Sequence, residues 1–212
     1  MNENLDCIII ADGLFPTSKS IFKLIENNKY IIVCDGAIKN VDSHNIIPHT
    51  IIGDLDSIDQ KLKNKYSDII IYNKDQETND LTKSVMYAKE KGFKNILILG
   101  ATGLREDHTL GNISLLINYR DLFDSIIIMS DFGYFISINK TTTFKSIPGQ
   151  QISIFTLPEL INISSEGLLY EFKNRTFPLW WEGTLNQAIS DSFTLQLEGK
   201  GNVIVYFSNT IK

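Results

Sequence analysis

Two closely spaced aspartates, Asp54 and Asp56, are the side chains in this sequence that most directly suggest chemistry. They follow an apolar run, and side chains two residues apart in an extended segment point the same way. Neighbouring carboxylates repel each other unless a cation lies between them. Their oxygens suit Mg²⁺, which typically binds one or two carboxylates together with phosphate oxygens and water. The pair is consistent with a magnesium site, and equally with a polar strand end at which Asp56 caps a helix.

A second polar segment, residues 75–80, contains Gln76 and Asp80 and leads into a helical pattern. Asp80 could be a third metal ligand or could orient a nucleophile, but the helix dipole also explains an acid in the first turn of a helix. The neutral amide of Gln76 could hydrogen-bond a substrate ring, and surface solvation explains this residue equally well.

A third segment combines glycines with charge, because Gly100 and Gly103 are followed by Arg105, Asp107 and His108. A glycine turn, exposed N–H groups and a guanidinium favour an anion site at the start of a helix. The segment matches neither GxGxxG nor GxxxxGK[ST], so it supports neither a dinucleotide fold nor a P-loop. The alternatives are a surface arginine and an aspartate that caps the helix. We expect His108 to cap or pack rather than to act as a base.

The composition argues against several other classes of function. The 212 residues carry a net charge of −5 without a block of Lys or Arg, so a nucleic-acid-binding surface is not expected. The acidic start is unlike a signal peptide, and no apolar run approaches the roughly 20 residues that span a bilayer. Cys7 and Cys34 lie in apolar runs without a CxxC partner, which predicts reduced, buried thiols and a cytoplasmic protein. Without a Ser/His/Asp, Cys/His or zinc-site pattern, metal-assisted attack on phosphorus fits the residues better than covalent catalysis.

The elements that must position these side chains form a strand–helix series up to about residue 130. Short Ile- and Val-rich runs predict strands buried on both faces of a mainly parallel sheet, at residues 7–11, 31–35, 50–54, 68–72, 95–100 and 125–130. Helical spacing predicts a helix over residues 78–91, capped by Thr78 and ended by Gly92. These units predict an open α/β domain over residues 1–132. The polar segments follow the carboxyl ends of its strands, where ligands bind in such sheets.

After Asp131 the pattern changes to strands without intervening helices. Turn residues separate the predicted strands, which are residues 134–139, 141–147, 151–157, 168–172, 193–197 and 203–207. This pattern predicts a smaller all-β sandwich domain over residues 133–212.

The motifs, taken in order, resemble those of the thiamine pyrophosphokinase family. The resemblance rests on Cys34-Asp35-Gly36, on the segments 53–57 and 75–80, and on Gly100-Ala101-Thr102-Gly103 followed by Arg105 and Asp107-His108. In the C-terminal half, Gly167-Leu168-Leu169-Tyr170 and Ser190-Asp191 resemble signatures of the family's second domain. The resemblance covers nearly the whole chain, and four ordered motifs are more specific than any one of them.

The resemblance implies a nucleotide-binding α/β domain followed by a β-sandwich domain for thiamine binding and dimerisation. It implies transfer of the pyrophosphoryl group of ATP to the hydroxyl of thiamine, with Mg²⁺, in a homodimer with sites between subunits. The implied metal ligands are Asp54, Asp56 and Asp80, which with Arg105 form the catalytic set. The implied nucleotide-binding residues are Asp35, Gly36, Gly100, Thr102, Gly103, Arg105, Asp107 and His108. The implied thiamine-binding residues are Gln76, Asp80, Trp180, Trp181, Ser190 and Asp191.

The sequence departs from the family pattern at a few positions. Ala37 stands where a second glycine is usual, Asn79 replaces threonine, and Asp191 replaces asparagine after Ser190. The acid at position 191 could favour a cationic substrate or could mean that this contact is not kept. The paired tryptophans have a second interpretation, since large aromatic side chains commonly fill a sandwich core.

Two other functions account for part of the pattern. A metal-dependent glycosyltransferase would use Asp54 and Asp56, but it leaves the other two polar segments without a role. A protein that senses nucleotide or thiamine on the same scaffold would bind both without turnover.

Overall fold

The computed structural model describes residues 5–211, which form two units. The first unit contains the residues up to Leu115 together with Asp121–Asp131, and the second contains Leu116–Arg120 and the residues from Phe132 onward. Within residues 5–211, no helix combines the length and the apolar character needed to cross a bilayer. The division into domains at residues 132 and 133 stays a prediction.

The first unit is built on six parallel strands. Its strands are β1 Cys7–Ile10, β2 Ile31–Cys34, β3 Thr50–Gly53, β4 Ile70–Tyr72, β5 Asn95–Leu99 and β6 Ser125–Ser130. They lie in the order β4-β3-β2-β1-β5-β6, and each neighbouring pair is parallel. The four residues of β1 are fully buried, as expected for an Ile-rich strand covered on both faces.

Five α-helices within the described residues connect these strands. They are α1 Lys19–Asn27, α2 Ile38–Ser43, α3 Gln60–Lys65, α4 Asp80–Glu90 and α5 Glu106–Arg120. The predicted Thr78 cap is wrong. The Asn79 side chain caps α4 by accepting a hydrogen bond from the Thr82 N–H at 2.8 Å, while the Thr78 hydroxyl donates to Asp75 instead. Gly92 follows the end of α4 with φ +78°, as predicted for a residue that stops a helix.

The second unit consists of two antiparallel sheets. Its strands are β7 Gly133–Ile138, β8 Thr142–Lys145, β9 Gln150–Leu157, β10 Asn162–Glu166, β11 Asn186–Gln187, β12 Ser192–Glu198 and β13 Asn202–Ile211. The sheet orders are β11-β9-β13-β7 and β10-β12-β8. Residues from both sheets share one apolar core, which includes Ile154, Val205, Ile163 and Phe193. The predicted fold class, an α/β unit followed by an antiparallel β sandwich, is therefore confirmed.

One predicted strand of the second unit is wrong. Residues 168–172 contribute only an isolated bridge from Leu168 to Ala188, and the strand lies earlier, at β10. Gly167, with φ +85°, ends β10 and turns the chain away from the sheet. β10 is mostly polar, so no alternation of hydrophobic residues marks it as a strand in the sequence. It is a strand because it pairs with β12. The short strand β11 was not predicted either.

Asp131 ties the segment before α1 to the end of β6. Its Oδ2 accepts hydrogen bonds from the N–H and the hydroxyl of Thr17, both at 2.8 Å, and its Oδ1 accepts one from the Ser18 N–H at 3.0 Å. Partial burial acts to raise the pKa of Asp131, but these hydrogen bonds outweigh it and the pKa is lowered. Asp131 therefore contributes stability that requires its ionised form.

Replacing Asp131 with alanine should lower the free energy of unfolding by about 1–3 kcal/mol at pH 7, because two backbone N–H groups lose their acceptor. The difference in free energy of unfolding between the variant and wild type should begin to shrink below about pH 4, the ordinary aspartate pKa. It should continue to shrink as the pH falls through the lower pKa that Asp131 has in the folded protein. Urea denaturation at pH 7 and at steps down to pH 3 measures both effects. Asp124→Ala, at an exposed site, is the control and should change stability by less than about 0.5 kcal/mol. A difference that grows on acidification would contradict the assignment.

Candidate functional site

A cleft of about 350 Å³ lies in the first unit, beyond the carboxyl ends of its central strands. Segments after β1, β2 and β5 line it together with the starts of α4 and α5. Its walls include Asp12, Asp35, Asp80, Arg105 and His108. Because the strands are parallel, their carboxyl ends meet at one edge of the sheet, and side chains distant in sequence converge there.

Three carboxylates converge at this edge. Asp35, Asp54 and Asp56 each offer an oxygen that lies within 4.8 Å of the oxygens of the other two. Asp35 is buried, Asp54 is half-buried and Asp56 is exposed, so the group extends from the sheet to the surface. A set of carboxylate oxygens open on one side fits Mg²⁺, which keeps water or phosphate oxygens among its ligands.

The backbone brings these side chains together in a way that differs from the prediction. The segment from Asp54 to Asp56 is not extended, because Leu55 adopts a left-handed conformation with φ +67°. The Leu55 N–H donates to Asp35 Oδ2 at 2.8 Å, and the Asp56 N–H donates to Asp54 Oδ1 at 3.2 Å. A left-handed leucine costs roughly 1–2 kcal/mol. Such strain persists where surrounding contacts enforce it, often at functional sites. The alternative prediction, that Asp56 caps a helix, is wrong, because the residue that caps α3 is Asp59.

Asp35 is the buried member of the group, with a relative exposure of 3%. It accepts hydrogen bonds from the N–H groups of Gly36 and Leu55. Burial and the nearby charge of Asp80 raise the pKa of Asp35 to about 6, with a smaller contribution from Asp54, although the two N–H donors oppose the shift. The ionised group therefore sits in an environment that a nearby cation would stabilise.

Gly53, at the end of β3, leaves room for Asp35. A Cβ atom at position 53 would lie 2.5 Å from Asp35 Cγ, closer than any normal contact. Glycine at this position is therefore a steric requirement of the carboxylate group.

Asp80 lies outside the three-carboxylate group and is paired with a cation. Its Oδ1 is 2.9 Å from Lys83 Nζ, one turn further along α4. Gln76 instead contacts the group directly, because its amide donates to Asp54 Oδ2 at 3.0 Å and is the largest cause of the lowered pKa of Asp54. The metal role of Asp80 and the thiamine contact of Gln76 stay predictions.

The glycine segment after β5 is locked against the segment after β1. The Gly13 N–H donates to the Gly100 carbonyl at 2.6 Å, and a Cβ on Gly13 would lie 2.3 Å from that oxygen. Gly100 and Gly103 have φ values of +65° and +80°. The Gly103 N–H donates to the Thr109 hydroxyl at 3.0 Å, so in this conformation it is not free to bind an anion as the sequence suggested. Thr102 lies in the same turn.

Arg105 and Asp107 form an exposed bidentate pair at the start of α5. Arg105 Nε lies 3.0 Å from Asp107 Oδ1, and Nη2 lies 2.5 Å from Oδ2. The pair and the His108 N–H lower the pKa of Asp107 to about 2. Asp107 is inside the first turn of the helix rather than its cap, since α5 begins at Glu106. Arg105 and His108 line the cleft, where their predicted nucleotide contacts stay predictions.

The remaining predicted residues belong to the second unit. Trp180 and Trp181 lie in a short 3₁₀ turn, Trp180–Gly183, with relative exposures of 39% and 71%. The interpretation that they fill the sandwich core is therefore wrong. The Ser190 hydroxyl donates to the Ser192 carbonyl at 2.7 Å, and Asp191 is exposed. Their predicted contacts with thiamine stay predictions.

Comparisons with known proteins match two consecutive segments of the chain to two family models. Residues 21–129, more than half of the chain, match the family model described as thiamin pyrophosphokinase, catalytic domain. Residues 133–206 match the model described as thiamin pyrophosphokinase, substrate-binding domain. The chain belongs to the thiamin pyrophosphokinase family.

Individual members of the family are similar over different lengths. Thiamin pyrophosphokinase 1 of Caenorhabditis elegans is 29% identical over 188 residues, which cover 79% of this chain and 74% of that protein. Thiamine pyrophosphokinase 1 of Oryza sativa is 37% identical over 94 residues, which cover 40% of this chain and 35% of that protein. The crystal structure of thiamine pyrophosphokinase from Bacillus subtilis has a TM-score of 0.81 at 22% identity, covers 97% of this chain and all of its own, and shows the shared fold.

Sequence reasoning missed some residues of the site in this family member. Asp12 follows β1 and lines the cleft, and its place after an apolar strand, like that of Asp35, was a usable signal. Asn112 of α5 also lines the cleft and donates to the Ala101 carbonyl at 2.9 Å. Lys83 contacts Asp80 from a buried position, and only its spacing of three residues on a helix could have suggested the pair.

Replacing Gly53 with alanine should displace the Asp35 carboxylate and abolish stabilisation by Mg²⁺. We expect Mg²⁺ to raise the melting temperature of wild type and not of Gly53→Ala, whose metal-free stability should also fall by about 1–3 kcal/mol. Differential scanning calorimetry with and without Mg²⁺ measures both quantities. Gly111→Ala is the matched control: an added Cβ there meets nothing within 4 Å, so it should keep the Mg²⁺ response and gain up to about 1 kcal/mol. An unchanged Mg²⁺ response in Gly53→Ala would refute this arrangement.

Proposed function

We propose that this protein is a Mg²⁺-dependent thiamine diphosphokinase, which transfers the pyrophosphoryl group of ATP to the hydroxyl of thiamine. The observation that carries the proposal is the convergence of Asp35, Asp54 and Asp56 beside the cleft, in a chain that belongs to the thiamin pyrophosphokinase family. The products are thiamine diphosphate and AMP.

The reaction is an in-line displacement at the β-phosphorus of ATP. A bond forms between the thiamine oxygen and the β-phosphorus, the bond from the β-phosphorus to the oxygen bridging to the α-phosphate breaks, and the hydroxyl proton is released. When bound, Mg²⁺ supplies a positive charge that offsets the charge of the polyphosphate. Asp54 and Asp56 are its proposed ligands together with Asp80, and the geometry adds Asp35 as a candidate.

The remaining work of the site is positioning and electrostatic stabilisation, which carry most of the catalysis in phosphoryl transfer. Arg105 lines the cleft and offers guanidinium donors beyond those that Asp107 accepts. We assign it to the charge that develops on the transferred group. The rigid turn that contains Gly100 and Gly103 forms the adjacent wall, against which we place the nucleotide with Gly36, Thr102 and His108. We assign Gln76, whose amide donates to Asp54, to the contact with thiamine.

We assign the second unit to thiamine binding and to dimerisation, with the sites between subunits. Several large apolar side chains between residues 169 and 189 are 39–71% exposed, namely Leu169, Tyr170, Leu179, Trp180, Trp181, Leu185 and Ile189. Exposed apolar surface concentrated in one segment supports an interface. The aromatic rings and Asp191 suit the heteroaromatic cation thiamine. A cytoplasmic location is supported by the free, buried Cys7 and Cys34, whose pKa values burial raises to about 12.

Incubation of the protein with thiamine, ATP and Mg²⁺ should yield thiamine diphosphate and AMP in equal amounts, and chelation of Mg²⁺ should stop the reaction. Asp54→Asn should lower turnover by about 100-fold or more while the fold is kept, because asparagine keeps the shape of the side chain and one acceptor oxygen but not the charge. Asp59→Asn, which keeps a good helix cap outside the site, is the matched control and should be unaffected. Chromatography of the products measures the rates. Binding of both substrates without AMP release would refute the proposal, as would release of UDP from a UDP-sugar without thiamine.

The homodimer is tested separately by mass measurement in solution. Trp181→Asp should convert a wild-type dimer to a monomer, because a charge replaces a large exposed aromatic side chain. Ile47→Asp is the matched control, since Ile47 is equally apolar and 79% exposed but lies in the first unit. Light scattering coupled to size-exclusion chromatography measures the masses. A monomeric wild type, or a Trp181→Asp protein that stays dimeric, would contradict this interface.

A further inference from the structure

Lys83 is a charged residue in a buried position. Its side chain is only 4% exposed, and its ammonium lies 2.9 Å from Asp80 Oδ1. Removing an ammonium group from water is costly, and a buried ion pair often stabilises a fold no better than apolar residues of similar size. Stability alone is therefore a weak reason for a lysine at this position.

The surroundings of Lys83 connect it to the carboxylate site. It lines a groove together with Ile52 of β3, Ile71 of β4 and Met86 of α4. Asp80, its partner, is the first residue of α4 and lines the cleft. Lys83 does not itself line the cleft, but it contacts Asp80, a residue that does.

The charge of Lys83 reaches further than this one contact. Burial acts to lower the pKa of Lys83, but the hydrogen bond to Asp80 and the charges of Asp80, Asp54 and Asp75 outweigh it, and the pKa is raised. Arg105, which lines the cleft, is already paired with Asp107. Lys83 therefore compensates carboxylates that an anionic substrate must approach.

We propose that Lys83 is a positioning residue that acts through Asp80: its ammonium holds the Asp80 carboxylate in place and reduces the negative charge that the polyphosphate of ATP meets. This inference rests on the proposed function for its substrate. It predicts opposite effects of Lys83 on the two species that bind at the site, because a positive charge attracts polyphosphate and repels Mg²⁺.

Lys83→Met keeps an unbranched side chain that is one atom shorter and removes its charge. The kcat/KM for ATP should fall about 10- to 100-fold with a raised KM, while the affinity for Mg²⁺ alone should rise a few-fold. Steady-state kinetics and titration of Mg²⁺ by thermal shift measure these quantities. Lys89→Met is the matched control, because Lys89 is an exposed lysine in the last turn of the same helix and should behave like wild type.

A merely structural role gives a different pattern. In that case Lys83→Met would lower the melting temperature, the affinity for Mg²⁺ and the affinity for ATP together, and this result would overturn the proposal. Wild-type kinetics in Lys83→Met would overturn it as well.

A double variant tests whether Lys83 acts through Asp80. It also removes the Asp80 charge, which the single Lys83→Met variant leaves without a partner. Adding Lys83→Met to Asp80→Asn should lower kcat/KM for ATP by clearly less than Lys83→Met lowers it in wild type, because the lysine has lost its closest partner. Additive losses would overturn the proposal. If the wild type forms no product, only the proposed function is contradicted. The role of Lys83 is still tested in that case, because comparing Mg²⁺ binding by Lys83→Met and wild type requires no turnover.

Discussion

Repulsion between carboxylates gathered at one end of a parallel sheet is the constraint around which the site is organised. Asp35, Asp54 and Asp56 bring oxygens within 4.8 Å of one another, and Asp35 is almost fully buried. Backbone N–H donors from Gly36 and Leu55 hold Asp35, and the amide of Gln76 holds Asp54. These contacts keep the charges together before any cation arrives, so the site is organised in advance for a ligand of opposite charge.

The sheet stabilises the fold independently of the site, and this stability offsets the unfavourable repulsion between the carboxylates. Its central strands are buried except at Asn95, and the loops beyond them are held by close backbone contacts such as that between Gly13 and Gly100. The same close packing requires glycine at position 53, next to Asp35. A rigid scaffold can therefore support local strain, including the left-handed Leu55, at the place where chemistry is proposed.

The two units carry different kinds of chemistry. The first contains the carboxylates and the arginine expected for phosphoryl transfer, and the second exposes aromatic side chains such as Trp181. The matches to a catalytic-domain model and a substrate-binding-domain model follow the same order along the chain. This separation fits the proposed function, because polyphosphates and heteroaromatic cations are generally bound through different physical interactions.

The sequence by itself determined the fold class and the segments in which the site lies, because hydrophobic periodicity and motif order are local properties of the chain. Only the tertiary structure decided the details that depend on burial or on competing partners. Asn79 rather than Thr78 caps α4 because Asp75 takes the Thr78 hydroxyl. Asp35 joins Asp54 and Asp56 because the neighbouring strands β2 and β3 bring together residues that are about 20 positions apart in sequence. The spacing of Lys83 and Asp80 on α4 permits their pair, but only the packing of the helix buries the lysine.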